Sequence, residues 1–144
     1  KADVPVIVVK DEKVTFPFNN IVFVSDFLED VSEAFKQVIS IAEKCGAHLH
    51  LLRVNTQTDF NSIEQGLDPI KEFLKKFPDL DNFSMNVYNE PDVETGINNF
   101  LKYKDADLIA MCTSGRTGFL SLFSKSIAEG VTNHSELPVM TIKV

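Results

Sequence analysis

The residues that could do chemistry fall into a few groups, each with a bland reading beside it. Asp26 follows the β-branched run Ile21-Val22-Phe23-Val24, where a carboxylate at a strand end could bind a ligand or act as a general base. Cys112 follows Leu108-Ile109-Ala110-Met111 and precedes the polar stretch Thr113-Ser114-Gly115-Arg116-Thr117-Gly118. A nearby Arg or helix start would lower a thiol pKa, although a free Cys usually packs as a small hydrophobe. Ser124, Lys125 and Ser126 stand where a helix begins, with Arg116 nearby; free backbone N–H groups and a cation there attract anions. His48 and His50 form an HxH on one strand face, but no third His or Cys lies near them in sequence, so they read as structural and no metal site is expected. Ser114-Gly115 is not a nucleophile elbow, and no catalytic residues are expected. His134 near a helix end reads as dipole stabilisation.

These groups need a scaffold, and the apolar pattern supplies one. Strands are expected at Ile21–Val24, Leu49–Val54, Phe83–Tyr88, Leu108–Met111 and Pro138–Ile142. Val31, Phe35, Val38, Ala42 and Cys45 recur at helical spacing, with Asp30 and Glu33 as a capping box and Gly46 as the stop. Ile70, Phe73, Leu74 and Phe77 fit a helix capped by Asp68 with Pro69 as its first residue; residues 57–66 read as loop or an extra helical turn. Pro91 opens a third helix through Val93, Ile97, Phe100 and Leu101, and a fourth starts near Ser124 and runs through Ile127 and Val131. Alternation of strand and helix implies a parallel α/β sheet with helices on both faces. Ligands in such sheets sit at the carboxyl ends of the strands, which gathers Ser25-Asp26, Val54 and the 112–118 loop at one rim.

Composition narrows the classes. The chain has 144 residues, 44% of them hydrophobic and 24% charged, which suits one folded domain and excludes disorder. Fourteen Lys and Arg against 21 Asp and Glu leave a net charge of −7, so a phosphate backbone is a poor partner and no nucleic acid is expected. Two distant Cys are neither a disulfide framework nor a zinc module. No apolar run reaches the roughly 20 residues of a membrane helix and no signal peptide is visible, so a cytoplasmic protein without membrane insertion is expected.

An internal repeat stands out. Val4-Pro5-Val6-Ile7-Val8-Val9-Lys10 resembles Leu137-Pro138-Val139-Met140-Thr141-Ile142-Lys143. The expected organisation is residues 1–10 as a terminal strand left from a preceding similar domain, 11–19 as a linker and 20–144 as the domain proper. An orphan edge strand must pair. Pro5, Val6, Ile7 and Val8 should therefore meet Pro138, Val139, Met140, Thr141 and Ile142, in this chain or a partner.

Four stretches together resemble the universal stress protein (UspA-like) family over about residues 20–144. They are Ile21-Val22-Phe23-Val24-Ser25-Asp26-Phe27, the run from Ala42 to Val54, Ala106-Asp107-Leu108-Ile109-Ala110-Met111, and Leu137-Pro138-Val139. The resemblance implies a Rossmann-like five-stranded parallel sheet of order 3-2-1-4-5, here with an extra N-terminal strand. It also implies dimerisation or tandem-domain pairing through the last strand. Many members bind ATP with a G-x2-G-x9-G-[ST] loop, whose marked positions fall here on Cys112, Gly115, Lys125 and Ser126, so only Gly115 and Ser126 match. Glycine there lets backbone amides approach phosphate. The implied nucleotide site is Ser25, Asp26, Val54, Met111, Cys112, Gly115, Arg116, Lys125 and Ser126, intact on the base side and altered on the phosphate side. The expectation is a non-enzymatic stress-signalling domain acting by dimerisation and contact with a protein partner, holding no cofactor. The alternatives are a switch binding ATP or another adenine nucleotide, and a weak nucleotide hydrolase or thiol redox protein.

Overall fold

The computed structural model describes residues 5–9, 16–28, 31–56, 62–113 and 125–144, the first two residues of the last helix by backbone alone. Strands and helices alternate after the first strand: β1 (Val6–Val8), β2 (Asn20–Val24), α1 (Ser32–Cys45), β3 (His48–Asn55), α2 (Ile63–Leu74), β4 (Phe83–Asn89), α3 (Val93–Tyr103), β5 (Leu108–Thr113), α4 (Lys125–His134) and β6 (Val139–Lys143). They form one six-stranded sheet of order β1-β6-β5-β2-β3-β4. The five strands after β1 are parallel neighbours in the expected order. The difference from a five-stranded sheet is β1, which lies antiparallel on the outer edge of β6, pairing Val6 with Thr141, Ile7 with Met140 and Val8 with Val139.

Each central strand is buried on both faces, which is why β2 and β5 read as unbroken apolar runs. Side chains alternate between two cores. One holds Phe23, Phe35, Leu49, Leu51, Ile70 and Phe73 beneath α1 and α2; the other holds Val22, Val24, Leu52, Ile97, Phe100 and Val131 beneath α3 and α4. The first core is aromatic: the Phe35 ring lies 5.0–5.2 Å from those of Phe23, Phe73 and Phe77.

Helix boundaries follow their caps, with three departures from the sequence reading. α1 ends at Gly46 in the left-handed conformation, but Val31 stands at its N-cap with no side-chain cap; Asp30 lies outside the described residues. α2 begins at Ile63 and not at Pro69. Ser62 accepts from the Gln65 amide while the Gln65 side chain accepts from the Ser62 amide, a capping box. Pro69 sits inside the helix, and the buried stripe Gly66, Ile70, Phe73 overrides its missing N–H. Asp92 caps α3 through the Thr95 amide at 2.8 Å, so Pro91 precedes the cap.

Candidate functional site at the carboxyl rim

The parallel registers bring the ends of β3, β2 and β5 side by side, Val24 lying level with Leu52 on one flank and Met111 on the other. The chain leaving β2 is a tight polar turn. The Ser25 amide donates to the Leu52 carbonyl at 3.1 Å, continuing the ladder one residue further. Ser25 Oγ accepts from the Phe27 amide at 3.0 Å, and Asp26 Oδ1 accepts from the Leu28 amide at 3.0 Å. These local bonds hold Asp26 half-buried at the rim. Phe27 has a φ of 62°, a left-handed conformation costly for a bulky residue, and its ring is anchored against Phe23 and Phe73.

Arg53 is the rim residue that sequence patterning missed. It is 5% exposed, an unusual place for a guanidinium. Its Nε donates to the Asp26 carbonyl at 3.0 Å and its Nη1 to the Gly66 carbonyl at 3.5 Å. It therefore ties the β2 turn to α2. Asn55, two residues on and 1% exposed, donates to Asn89 Oδ1 at 2.9 Å, and its own Oδ1 is without a partner among the described residues. The only sequence signal for either was a polar residue every second position at the end of an apolar strand.

Val54 faces the other way, into the α3–α4 core, 9% exposed. It packs so closely on α3 that a Cβ at Gly96 would lie 2.5 and 2.6 Å from its two γ-methyls. Gly96→Ala should therefore destabilise the fold by about 1–3 kcal/mol through overpacking, although Ala outranks Gly in a helix by about 1 kcal/mol. Urea unfolding of Gly96→Ala, Val54→Ala and the double variant checks it. Additivity within about 0.5 kcal/mol would remove the contact from the account.

Met111 and Cys112 are 0% and 2% exposed and enter opposite cores. The Cys112 thiol joins the α1 side, and burial pushes its pKa up to about 12. Lys125 and Ser126 open α4. Gly115, Arg116 and the rest of 114–124 lie outside the described residues. The structure thus brings Ser25, Asp26, Val54, Met111 and Cys112 to one rim. A groove of about 640 Å³ lies beside it against α2, lined by Phe27, Leu28, Asp68 and Lys76 among others.

The two histidines lie at the opposite end of the sheet. His48 Nδ1 is 2.7 Å from Asn82 Oδ1, and His50 has Ser84 Oγ at 3.1 Å and Asn20 Oδ1 at 3.0 Å on its two nitrogens. Both His50 nitrogens are thereby engaged, and among the described residues no group of three His, Cys, Asp or Glu could hold a metal. Burial first, then the charges of His48 and Lys104, lower the His50 pKa below 6.5. The unfolded chain thus takes up the proton first as pH falls. The stability His50 confers is full above 6.5 and is lost as pH drops through its folded value. The urea midpoint should fall between pH 7 and pH 5, by less in His50→Gln; an unchanged drop would show that His50 does not contribute. His134, at the end of α4, lies 3.1 Å from both Glu94 carboxylate oxygens, linking α4 to the start of α3.

Residues 85–143 match the model of the universal stress protein family. A universal stress protein of Methanocaldococcus jannaschii is 24% identical over 143 residues, covering 88% of this chain and 82% of its own. Over its later part the chain is thus similar in sequence to universal stress proteins. Solved structures agree on the fold. A universal stress protein from Archaeoglobus fulgidus superposes with a TM-score of 0.65 at 18% identity, covering 88% of this chain and 100% of its own. A second from the same organism gives a TM-score of 0.69 at 19% identity over 97% of this chain but 50% of its own. A functionally unknown protein from Pseudomonas aeruginosa gives 0.66 at 17%, over 96% and 52%. The chain therefore spans about half the length of the last two and the whole of the first. Its family match begins within β4 and takes in α3, β5, α4 and β6, so both the rim strand bearing Cys112 and the helix opened by Lys125 fall inside it.

Proposed function

We propose that this stress-response domain works by association with proteins, with its nucleotide site altered at the phosphate end. The observation that carries this is the pair Cys112 and Lys125, standing where the family loop uses glycine. A Cβ and a long side chain occupy positions where backbone amides would otherwise approach phosphate. Cys112 also has its side chain committed to the core, so that residue is part of the scaffold. The reading predicts no catalytic residue and no resident cofactor, and the β6 side of the sheet as the region of association. Calorimetric titration with ATP and Mg²⁺ tests it. The expected result is no heat of binding and no rise in Tm at millimolar ATP, because a ligand selective for the native state raises apparent stability.

A second reading, an adenine-nucleotide switch, is favoured by Asp26 and Val54 at the rim, the positions that the family resemblance assigns to the ribose and base. The resemblance would add Ser25, Met111, Cys112, Gly115, Arg116, Lys125 and Ser126 to that site, with Lys125 as the residue type suited to an anion. One solved relative is described in complex with cAMP, so cyclic nucleotides belong in the same titration. Binding that Lys125→Glu abolishes would replace the first reading with this one. A hydrolase would release phosphate and lose that activity in Asp26→Asn.

A further inference from the structure

The sheet has an edge at β4, on the side away from β1. β4 runs for seven residues, Phe83–Asn89, in unbroken register with β3, so it carries no bulge. It holds no Pro and no charged side chain. Bulges, prolines and charges are devices that blunt an edge strand against pairing, and β4 has none of them within its length. The ladder to β3 fixes which backbone groups are left over. The Leu49 amide donates to the Asn82 carbonyl and the Glu90 amide to the Asn55 carbonyl. Backbone groups of Ser84, Asn86 and Tyr88 therefore turn toward β3, and those of Phe83, Met85 and Val87 turn outward. Among the described residues no strand pairs with that outer side.

The side chains beside this edge define what would fit along it. Phe83 and Met85 are only partly buried and pack on the α1–α2 core, so a strand laid alongside has apolar area to cover on that face. On the other face Ser84 Oγ lies 3.1 Å from His50 Nδ1 and accepts from Asn86 Nδ2 at 3.4 Å, a polar stripe. Charge is confined to the two ends. Asp79 and Asp81 precede the strand, Glu90 and Asp92 follow it, and no Lys or Arg stands within four residues of either end. Two copies joined edge to edge about a two-fold axis would set the acidic start of one β4 against the acidic end of the other, where like charges repel. The same carboxylates attract a strand with cations at its ends.

We propose that the outer edge of β4 takes an extended segment of a partner protein as a further strand of the sheet. The segment has an uncharged core of about seven residues, apolar and polar by turns, with Lys or Arg at both ends. Its backbone bonds to Phe83, Met85 and Val87. Its apolar side chains cover Phe83 and Met85, and its basic ends meet Asp79, Asp81, Glu90 and Asp92. The surface lies at the opposite end of the sheet from the β6 side. The proposal rests on the reading of this domain as one that associates with proteins, and the two fail separately: ATP binding at the rim overturns that reading without touching β4, and no residue of the rim takes part in the β4 edge.

The probe is a synthetic peptide with an alternating valine and threonine core of about seven residues and two lysines at each end. Residue-resolved amide exchange by NMR reads the edge. In the protein alone, the Phe83, Met85 and Val87 amides should exchange at least tenfold faster than those of Ser84, Asn86 and Tyr88. Saturating peptide should slow the first three at least tenfold and leave the other three unchanged. A peptide ending in glutamates, or one N-methylated throughout its core, should protect none of them. Asp79→Lys combined with Asp81→Lys, both at exposed positions, should weaken the lysine-ended peptide at least fivefold. Protection of the three outward amides without peptide at every protein concentration overturns the proposal, because the chain itself would then cover the edge. Protection that rises with protein concentration assigns the edge to a second copy and overturns it as well. So does an absence of protection at millimolar peptide, or equal protection by the glutamate-ended peptide.

Discussion

Phe35→Ala should lower the free energy of unfolding by about 3–5 kcal/mol, the range for a buried Phe whose neighbours cannot collapse into the space. Phe35 is 0% exposed and touches three other rings, Phe23, Phe73 and Phe77, at centroid separations of 5.0–5.2 Å. Edge and tilted ring pairs add to the area term. Phe73, one of those rings, also packs on Phe27 at 5.4 Å. The variant should therefore loosen the left-handed residue that shapes the β2 turn, and with it the setting of Asp26. Urea denaturation gives the number. Tyr103→Ala, at a side chain 79% exposed, is the control and should stay within about 0.5 kcal/mol. A Phe35→Ala loss below about 1 kcal/mol would mean that the four rings do not form the packed unit described.

The second large effect concerns Cys112. Its thiol pKa, pushed up by burial from 9.0 to about 12, makes the thiolate about a thousandfold rarer at mildly alkaline pH than at an ordinary cysteine. Iodoacetamide at about pH 8 should therefore modify the native protein at the partly exposed Cys45 and leave Cys112 intact, with Cys112 reacting only after denaturation. Peptide mass mapping over time reads both sites. Reaction of native Cys112 at a rate comparable with Cys45 would reopen the thiol redox reading, because it would require the core on the α1 side to open at the rim.

The parts of this fold that sequence made legible were those with one dominant signal. The runs Ile21–Val24 and Leu108–Met111 gave their strands because both faces are buried. Gly46 marked the end of α1 because a left-handed residue ends the helix there. α2 was misplaced because Pro69 is a strong local marker, whereas its true start depends on Ser62 and Gln65 bonding each other across three residues, and on the tertiary burial of Ile70 and Phe73. At the rim, Asp26 and Val54 were legible from their positions at strand ends. Arg53 was not, since its partners are the carbonyls of Asp26 and Gly66, on separate elements that only the fold brings together. The inward commitment of Cys112 was open for a related reason: the alternation of a fully apolar strand does not say which face receives the thiol.

The β1–β6 ladder joins residues roughly 130 positions apart, so it closes a loop of nearly the whole chain, an entropic cost that three residue pairs must offset. Contacts this distant in sequence form late and add little to the speed of folding. The same ladder should be the first part of the sheet to open in the native protein, while the β2, β3 and β5 strands hold until global unfolding. A protease or chaperone would then meet this molecule first at β1, so whatever secures that strand would bear on the protein's lifetime.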